Sequence, residues 1–360
     1  MPRPELIAYF PKITPKRFRE LASAFASLGD VWTASRQVIL TSGWDEALAD
    51  DFINWRDKLD EIKIEDELKR EQIKIILSTD KNYPKLLNQL YDPPVALFIR
   101  GELSAEENQS IAVVGTRKCT AYGKQVTEDL VTKLVSAGLT IVSGLALGID
   151  GVAHETTLRT RGKTIAVLGS GVNQSHVFPS THNDLANRII SQGGAIISEY
   201  PPGTSPNTFT FPRRNRIIAG LTTATLVIEA PESSGALITA QCALDNNRDV
   251  FAVPQNITSE TSVGPNTLIK NGAHPVTSIE DILSVLKIEE KKSQTTARNS
   301  LPETPEEEVL LKILTREPQH IDTITKSARL PAHIVAGNLT LMEMKGMVRN
   351  VGGMMYVIVS

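Results

Sequence analysis

Apolar residues recur at helical spacing over the first 70 residues, in ITPKRFRELASAFASLG (13–29) and in WDEALADDFINWRDKLDEI (44–62), with a break at Gly29-Asp30. This spacing predicts a small all-helical domain over residues 1–70. A connector follows from Asn82, NYPKLLNQLYDPPVALFIRGEL, in which Asp92-Pro93-Pro94 stops a helix and VALFI reads as a short strand. The pattern then changes. Near-continuous Val, Ile, Leu and Ala runs alternate with amphipathic stretches: IAVVG before a helix over 123–137, TIVSG before GIDGVAHETTL, and KTIAVLGSG before a helix over 183–191. AIISEY then precedes a Pro- and Thr-rich loop and RNRIIAGL, TATLVIEA precedes GALITAQCALDNNR, and DVFAVP precedes NTLIKNG. Uniformly apolar strands alternating with helices are the mark of a parallel sheet covered on both faces. The fold class expected is α/β, a doubly wound, mainly parallel sheet from roughly 110 to 288.

Apolar periodicity then lapses. KIEEKKSQTTARNSLPETPEEE is polar and charged, giving a linker at 289–304. Beyond it, over 305–360, three helical patterns (EEEVLLKILT, HIDTITKSARL, PAHIVAGNLTLMEMKG) and a hairpin turning at Gly352-Gly353 predict a winged-helix domain. Its third helix offers only His333 and Lys345 as basic residues, so an interaction role is expected over groove reading.

Composition narrows the function classes. The 360 residues hold only two cysteines, Cys119 and Cys242, too few for a disulfide framework or a zinc site. The six histidines form no HxxxH or HxH pair, and no Walker motif is present. No metal, cofactor or catalytic set is therefore expected. His154 reads as a histidine holding a turn, Asp150 as a helix cap, and Ser233-Ser234-Gly235 as a capped helix start. Without a signal core or an apolar run long enough to span a bilayer, a cytoplasmic protein with no membrane partner is expected.

The net charge of −3 conceals an uneven distribution. Three arginines and no acid lie between Glu199 and Glu229, and Arg117, Lys118 and Lys124 with no acid lie in 108–127. A local basic groove is enough for phosphate binding, because counterion release depends on local contacts. The carboxyl ends of parallel strands are where such a ligand sits. Gly115-Thr116-Arg117, Ser143-Gly144 and Gly169-Ser170-Gly171 fall there, and glycines let a backbone approach a phosphate. The sharper signal is TSPNTFTFPRRNR, which sets Phe209 and Phe211 beside Arg213, Arg214 and Arg216, aromatics interleaved with cations as a stacked base beside a phosphodiester requires. Arg216 could instead pair with Glu199 or Glu229.

These residues form an ordered motif series. GTR at 115–117, SGLALGIDGVAH at 143–154, FPRRNRIIAGL at 211–221, SGALITA at 234–240, RDVFAVP at 248–254 and GPNTLIKNGA at 264–273, preceded by YPKLLNQLYDPP, resemble the DNA-processing protein DprA (Smf) family. The resemblance spans about 83–275. It implies an extended Rossmann-like domain over residues 71–288 in a non-enzymatic, homodimeric, single-stranded-DNA-binding mediator that protects incoming strands and loads the RecA recombinase during natural transformation. It places Arg117 of the turn that starts at Gly115 on a backbone phosphate, Phe211, Arg213 and Arg214 in the strand pocket, and Asn215 and Arg216 in the helix that follows, with Gly115 among the DNA-binding residues. Ser143, Gly144, Gly169 and Ser170 would line the pocket through backbone amides. At 178–183 the chain reads Phe-Pro-Ser-Thr-His-Asn, which lacks a lysine that relatives sometimes carry. It also lacks the Gly-x-Gly hairpin of a helix-hairpin-helix or SAM-like module in 1–70, which points that segment to structure or partners. The alternative is a nucleotide-binding or nucleotide-hydrolysing enzyme of a related fold. Such enzymes carry a PGGxGT loop with a nearby catalytic Glu, where this chain has EAPESSGALITA and Glu229.

Overall fold

The structure, a computed structural model, describes residues 3–104, 109–288, 302 and 304–358. The chain divides into two compact units, Met1–Glu290 and Lys291–Ser360. Nearly all of the expected linker at 289–304 lies outside the described residues.

The larger unit opens with helices α1 (Pro15–Ala24), α2 (Arg36–Leu40), α3 (Glu46–Arg56) and α4 (Glu61–Arg70), then β1 (Lys74–Leu77), α5 (Lys85–Asn88) and β2 (Ala96–Gly101). The alternating segment follows: β3 (Ser110–Val114), α6 (Ala121–Ser136), β4 (Thr140–Ser143), α7 (Ile149–Arg159), β5 (Thr164–Val167), α8 (Asn183–Ser191) and β6 (Ala195–Ser198). It continues through α9 (Thr210–Gly220), β7 (Ala224–Val227), α10 (Gly235–Asp245), β8 (Asp249–Ala252), α11 (Val263–Lys270), β9 (His274–Pro275) and α12 (Ile279–Leu286). The nine strands form one sheet in the order β1-β2-β6-β5-β4-β3-β7-β8-β9. The pairs from β6 through β9 are parallel, and β1 and β2 add an antiparallel margin.

Successive residues of β3 enter opposite cores, as a doubly covered sheet requires. Ala112 and Val114 pack with Ile217, Ile218, Ala236 and Ala240 from α9 and α10. Ile111 and Val113 pack with Leu130, Val131 and Leu134 of α6 and with Ile279, Ile282 and Leu283 of α12. After β3, the chain winds outward through β4, β5 and β6 on one side, then returns to β7 and winds through β8 and β9 on the other. The strand order therefore reverses between β3 and β7, the place where open α/β sheets leave a crevice beyond their carboxyl ends.

The helices of residues 1–70 form part of the larger unit, where the sequence pattern suggested a domain of their own. The reason is a shared core: Phe10, Trp44 and Phe52 pack in one cluster with Leu77 of β1 and Ala96 of β2. Strand β1, unread in the sequence, is what those helices cover.

The smaller unit contains α13 (Pro305–Ile313), β10 (Gln319–His320), α14 (Ile321–Ala328), α15 (Ala332–Met344), β11 (Val348–Gly352) and β12 (Met355–Ile358), with sheet order β10-β12-β11. Gly352, Gly353 and Met354 all take positive φ at the hairpin turn, the backbone that glycine adopts without steric cost. This is the expected winged helix. Lys345, just past α15, donates to the buried Glu307 carboxylate at 2.7 Å.

Candidate nucleic-acid interface

A cleft of about 530 Å³ opens at the reversal point, beyond the ends of β3 and β7. One wall is the loop leaving β3, Gly115 to Lys118. The floor comes from α9 through Phe211, Arg214, Asn215 and Ile218, and the far wall runs from Pro231 through Ser233 and Ser234 to Thr239 on α10. The i, i+3, i+4, i+7 spacing of 211, 214, 215 and 218 is one face of a helix, so α9 can present all four together. Arg117, Lys118 and Arg214 line the cleft, against Asp150 as its one carboxylate among the described residues.

Gly115 is required by close approach. A Cβ there would lie 2.5 Å from Ile149 Cγ1 and 2.9 Å from the Glu229 carbonyl oxygen. The loop beyond it is tied to Glu229, whose carbonyl accepts the Thr116 amide at 2.7 Å. The Glu229 carboxylate accepts the Thr120 amide at 2.9 Å and the Thr120 hydroxyl at 2.6 Å. Between these ties, the exposed Arg117 places its guanidinium 5.5 Å from the centroid of the Phe211 ring.

Arg214 is 6% exposed and serves as the keystone of the floor. Its Nη1 donates to the Gly144 carbonyl at 2.7 Å and to the Val167 carbonyl, joining the ends of β4 and β5. Its Nε donates to Asn215 Oδ1 at 3.1 Å, and Asn215 Nδ2 donates to the Gly235 carbonyl at 3.0 Å. Gly144 must be glycine, since a Cβ would meet the Arg214 guanidinium at 2.4 Å. Burial lowers the Arg214 pKa to about 10, opposed by Asp150 and reinforced by Arg117. The side chain still carries its charge at neutral pH. The buried Asp150 carboxyl is pushed upward by burial against the pull of Arg214. Its carboxylate accepts the amides of Gly144 at 3.1 Å and Ala146 at 3.4 Å. Asp150 therefore anchors the loop before α7, while Gly148 holds the cap position expected of Asp150.

The structure sorts the expected site residues into three groups. Gly115, Arg117, Phe211, Arg214 and Asn215 meet at the cleft. Ser143, Gly144, Gly169 and Ser170 stand behind it rather than presenting free amides along its lining. The Ser143 hydroxyl donates to the Val113 carbonyl at 2.6 Å, and that of Ser170 to the His176 carbonyl at 2.7 Å. The Gly144 amide is taken by Asp150. Gly169 makes room for the Phe211 ring, whose Cδ1 would stand 3.0 Å from a Cβ there. Arg213 and Arg216 face away from the cleft, toward Glu199. Arg216 Nη2 meets Glu199 Oε2 at 2.5 Å while its Nη1 donates to the Asp92 carbonyl at 2.7 Å. Arg213 Nε lies 3.6 Å from Glu199 Oε1. Burial pushes the Glu199 carboxyl upward against both arginines.

Four residues at or beside the cleft go beyond the expected site set. Lys118 sits on the cleft wall. Ser233 and Ser234 line the opposite wall, where Ser234 also caps α10 by accepting the Ala236 amide at 3.3 Å. Phe178, 45% exposed, lies 5.7 Å from Phe211 with the rings tilted by 42°. His154 holds structure as expected: it is buried and pairs through Nδ1 with Thr164 Oγ1 at 2.7 Å. Among the described residues, no group of three or more His, Cys, Asp and Glu side chains could hold a metal ion, and no helix is long and apolar enough to cross a membrane.

Comparison with known proteins agrees with this architecture. Residues 74–287 match the family model of DNA recombination-mediator protein A, and residues 294–354 match that of the DprA winged helix domain. The chain is 40% identical over 285 residues to Protein Smf of Escherichia coli, covering 78% of this chain and 76% of that protein. The X-ray structure of DNA processing protein A from Streptococcus pneumoniae superposes with a TM-score of 0.65 at 35% identity, over 78% of this chain and 97% of that one. A structure of DNA processing protein A from Helicobacter pylori, concerned with its single-stranded DNA binding mode, superposes with a TM-score of 0.53 at 30% identity, over 60% of this chain and 96% of that one. With its doubly wound sheet, its winged helix and these matches, the chain belongs to the DNA recombination-mediator protein A (DprA) family, DNA-binding mediators of recombination rather than enzymes.

Proposed function

We propose that the cleft between β3 and β7 grips single-stranded DNA, and that the chain, as a cytoplasmic homodimer, protects incoming strands and loads the RecA recombinase onto them during natural transformation. The observation that carries this reading is Arg117 lying over Phe211 at the mouth of a cleft with three cations and one buried carboxylate. The exposure of Arg117 and Lys118 supports a role for both as phosphate contacts. Phe211 offers a ring to a neighbouring base, with stacking worth about 1–3 kcal/mol per base. Arg214 and Asn215 keep the floor charged and rigid from behind. The relative from Helicobacter pylori, studied for its single-stranded DNA binding, supports the same ligand.

The hydrolytic alternative loses its candidate catalyst. Glu229 is 1% exposed, and both carboxylate oxygens are engaged by Thr120, so it faces no substrate. In the smaller unit, Lys345 is committed to Glu307, whereas Leu341 and Met344 on α15 are exposed. That supports a partner-binding winged helix over 305–360, and we assign residues 1–70 to structure or partners as well.

Titration of labelled oligo-dT, run beside an assay for hydrolysis of nucleoside monophosphates, tests the reading. Tight, salt-sensitive binding without turnover is expected. Turnover with weak DNA binding overturns it. RecA filament assembly on protein-coated single strands, with and without the chain, tests the loading step.

A further inference from the structure

We infer that Glu229 is the positioning residue of the strand-binding loop, fixing Arg117 and Lys118 over the cleft from beneath. The inference rests on the proposed single-strand reading of that cleft. Its foundation is the way one residue ties both ends of a short strap. At the near end, the Glu229 carbonyl accepts the Thr116 amide at 2.7 Å. At the far end, its carboxylate accepts the Thr120 amide at 2.9 Å and the Thr120 hydroxyl at 2.6 Å. The strap between, Arg117 to Cys119, holds both exposed cations of the wall. The Thr261 hydroxyl, at 3.4 Å, braces the carboxylate from a third side.

Glu229 is an unusual residue to spend on architecture. It is 1% exposed and forms no ion pair among the described residues. A buried charge without a counter-ion is costly unless hydrogen bonds and dipoles compensate it. Here compensation comes from the start of α6, sixteen residues long, whose N-terminal dipole favours a carboxylate and whose capping threonine is itself the donor. The packing is exclusive. A Cβ on Gly123 would stand 2.2 Å from Glu229 Oε2, so the first turn of α6 leaves room for this carboxylate by having glycine there. The loop before α7 closes over the strap from outside: a Cβ on Gly148 would meet the Thr116 carbonyl at 2.3 Å and the Arg117 carbonyl carbon at 2.7 Å. The strap backbone is thus confined from both sides, and both cations ride on it.

A contact residue and a positioning residue differ in what they remove. Loss of one phosphate contact lowers the salt slope of binding by about one. Release of the strap removes two contacts together, so Glu229→Ala is expected to lower the slope by about two. Glu229→Gln is expected to restore the wild-type slope, since its Oε1 accepts the Thr120 amide while its Nε2 donates to the Thr120 hydroxyl.

The experiment measures oligo-dT affinity of the full chain against salt concentration. It compares wild type, the two Glu229 variants, Arg117→Ala/Lys118→Ala, and that double variant combined with Glu229→Ala. If Glu229 acts through the strap, adding Glu229→Ala to the double variant changes affinity by less than about twofold, since coupled sites are non-additive. A wild-type slope in Glu229→Ala, or a further tenfold loss in the combined variant, overturns the inference. Should Glu229→Ala fail to fold, Gly123→Ala decides the matter by pushing a methyl group into the intact carboxylate. It is expected to lower the slope as Glu229→Ala would, and an unchanged slope overturns the inference. Absence of oligo-dT binding by wild type would instead refute the single-strand reading itself.

Discussion

The guanidinium of Arg117 lies 5.5 Å from the centre of the Phe211 ring, so a cation and an aromatic face reach the cleft as one surface. The ring quadrupole attracts the cation, by about 0.5–1 kcal/mol at an exposed site, and limits the positions its long side chain samples. A phosphodiester approaching Arg117 therefore meets a charge already in place. Arg117→Ala is expected to weaken oligo-dT binding and to lower the salt slope by about one. Fluorescence anisotropy across a range of potassium chloride concentrations measures both. A folded variant with unchanged affinity and slope removes Arg117 from the interface.

Phe178 extends that surface. It lies 5.7 Å from Phe211 and is 45% exposed, a large apolar area to leave in water beside a charged cleft. Phe178→Leu keeps an apolar side chain and removes the stacking face. We expect a loss of about 1–3 kcal/mol in oligo-dT affinity with the salt slope intact, because no phosphate contact changes. Binding of an abasic oligonucleotide should be equal in variant and wild type. Equal loss on both ligands would show that Phe178 acts through the fold and not through a base.

Arg216 and Arg213 provide the opposite test. Arg216 is paired at 2.5 Å with Glu199, whose side chain is 8% exposed, so Arg216→Ala leaves a largely desolvated carboxylate with the looser Arg213 contact at 3.6 Å. Breaking a buried pair from one side costs about 3–5 kcal/mol of stability. Arg213, half-exposed and 3.6 Å from the same carboxylate, should cost less than about 1 kcal/mol on replacement by alanine. Urea denaturation separates the two. The salt slope of whichever variant stays folded is expected to match wild type, and a slope reduced by one in Arg213→Ala would return that residue to the DNA.

How much of this was legible beforehand follows the range of each signal. The uniformly apolar runs located β3 to β8, because a strand buried on both faces has no other composition. The helix expected near 183–191 is α8. Strand β1 was missed since KIIL is short and its antiparallel partner β2 lies twenty residues on, a pairing local periodicity does not register. At the site, the arginine run 213–216 suggests one patch, with Arg216 alone open to pairing with Glu199 or Glu229. The 3.6-residue turn of α9 divides it, sending 214 to the cleft with 211, 215 and 218 and sending 213 and 216 to Glu199. Glycine-rich turns suggested amides offered to a ligand. Asp150, six residues beyond Gly144, had already taken that amide, a contact visible only once the loop is closed.

The buried His154 gives the fold a pH dependence of definite sign. Thr164 Oγ1 donates to the Ile141 carbonyl at 2.8 Å, so it accepts from His154 Nδ1, which must carry the ring proton. Nε2 is buried without a hydrogen-bond partner among the described residues, and a second proton there would bring a charge with nothing to receive it. Burial, with smaller contributions from His182 and Arg214, lowers the pKa from the ordinary 6.5 to about 3. Between those values the unfolded chain binds a proton that the folded chain refuses. Stability from this residue is therefore complete above about pH 6.5 and declines as the pH falls toward 3. From pH 6.5 to pH 5, where most carboxylates are still ionised, the loss should be about 1.5 kcal/mol. Urea unfolding at pH 6.5, 6 and 5 measures it. His154→Gln, which lacks the titrating group, is expected to be less stable at pH 6.5 but nearly flat across that window. A variant that loses stability on acidification as steeply as wild type would place the proton uptake on another group.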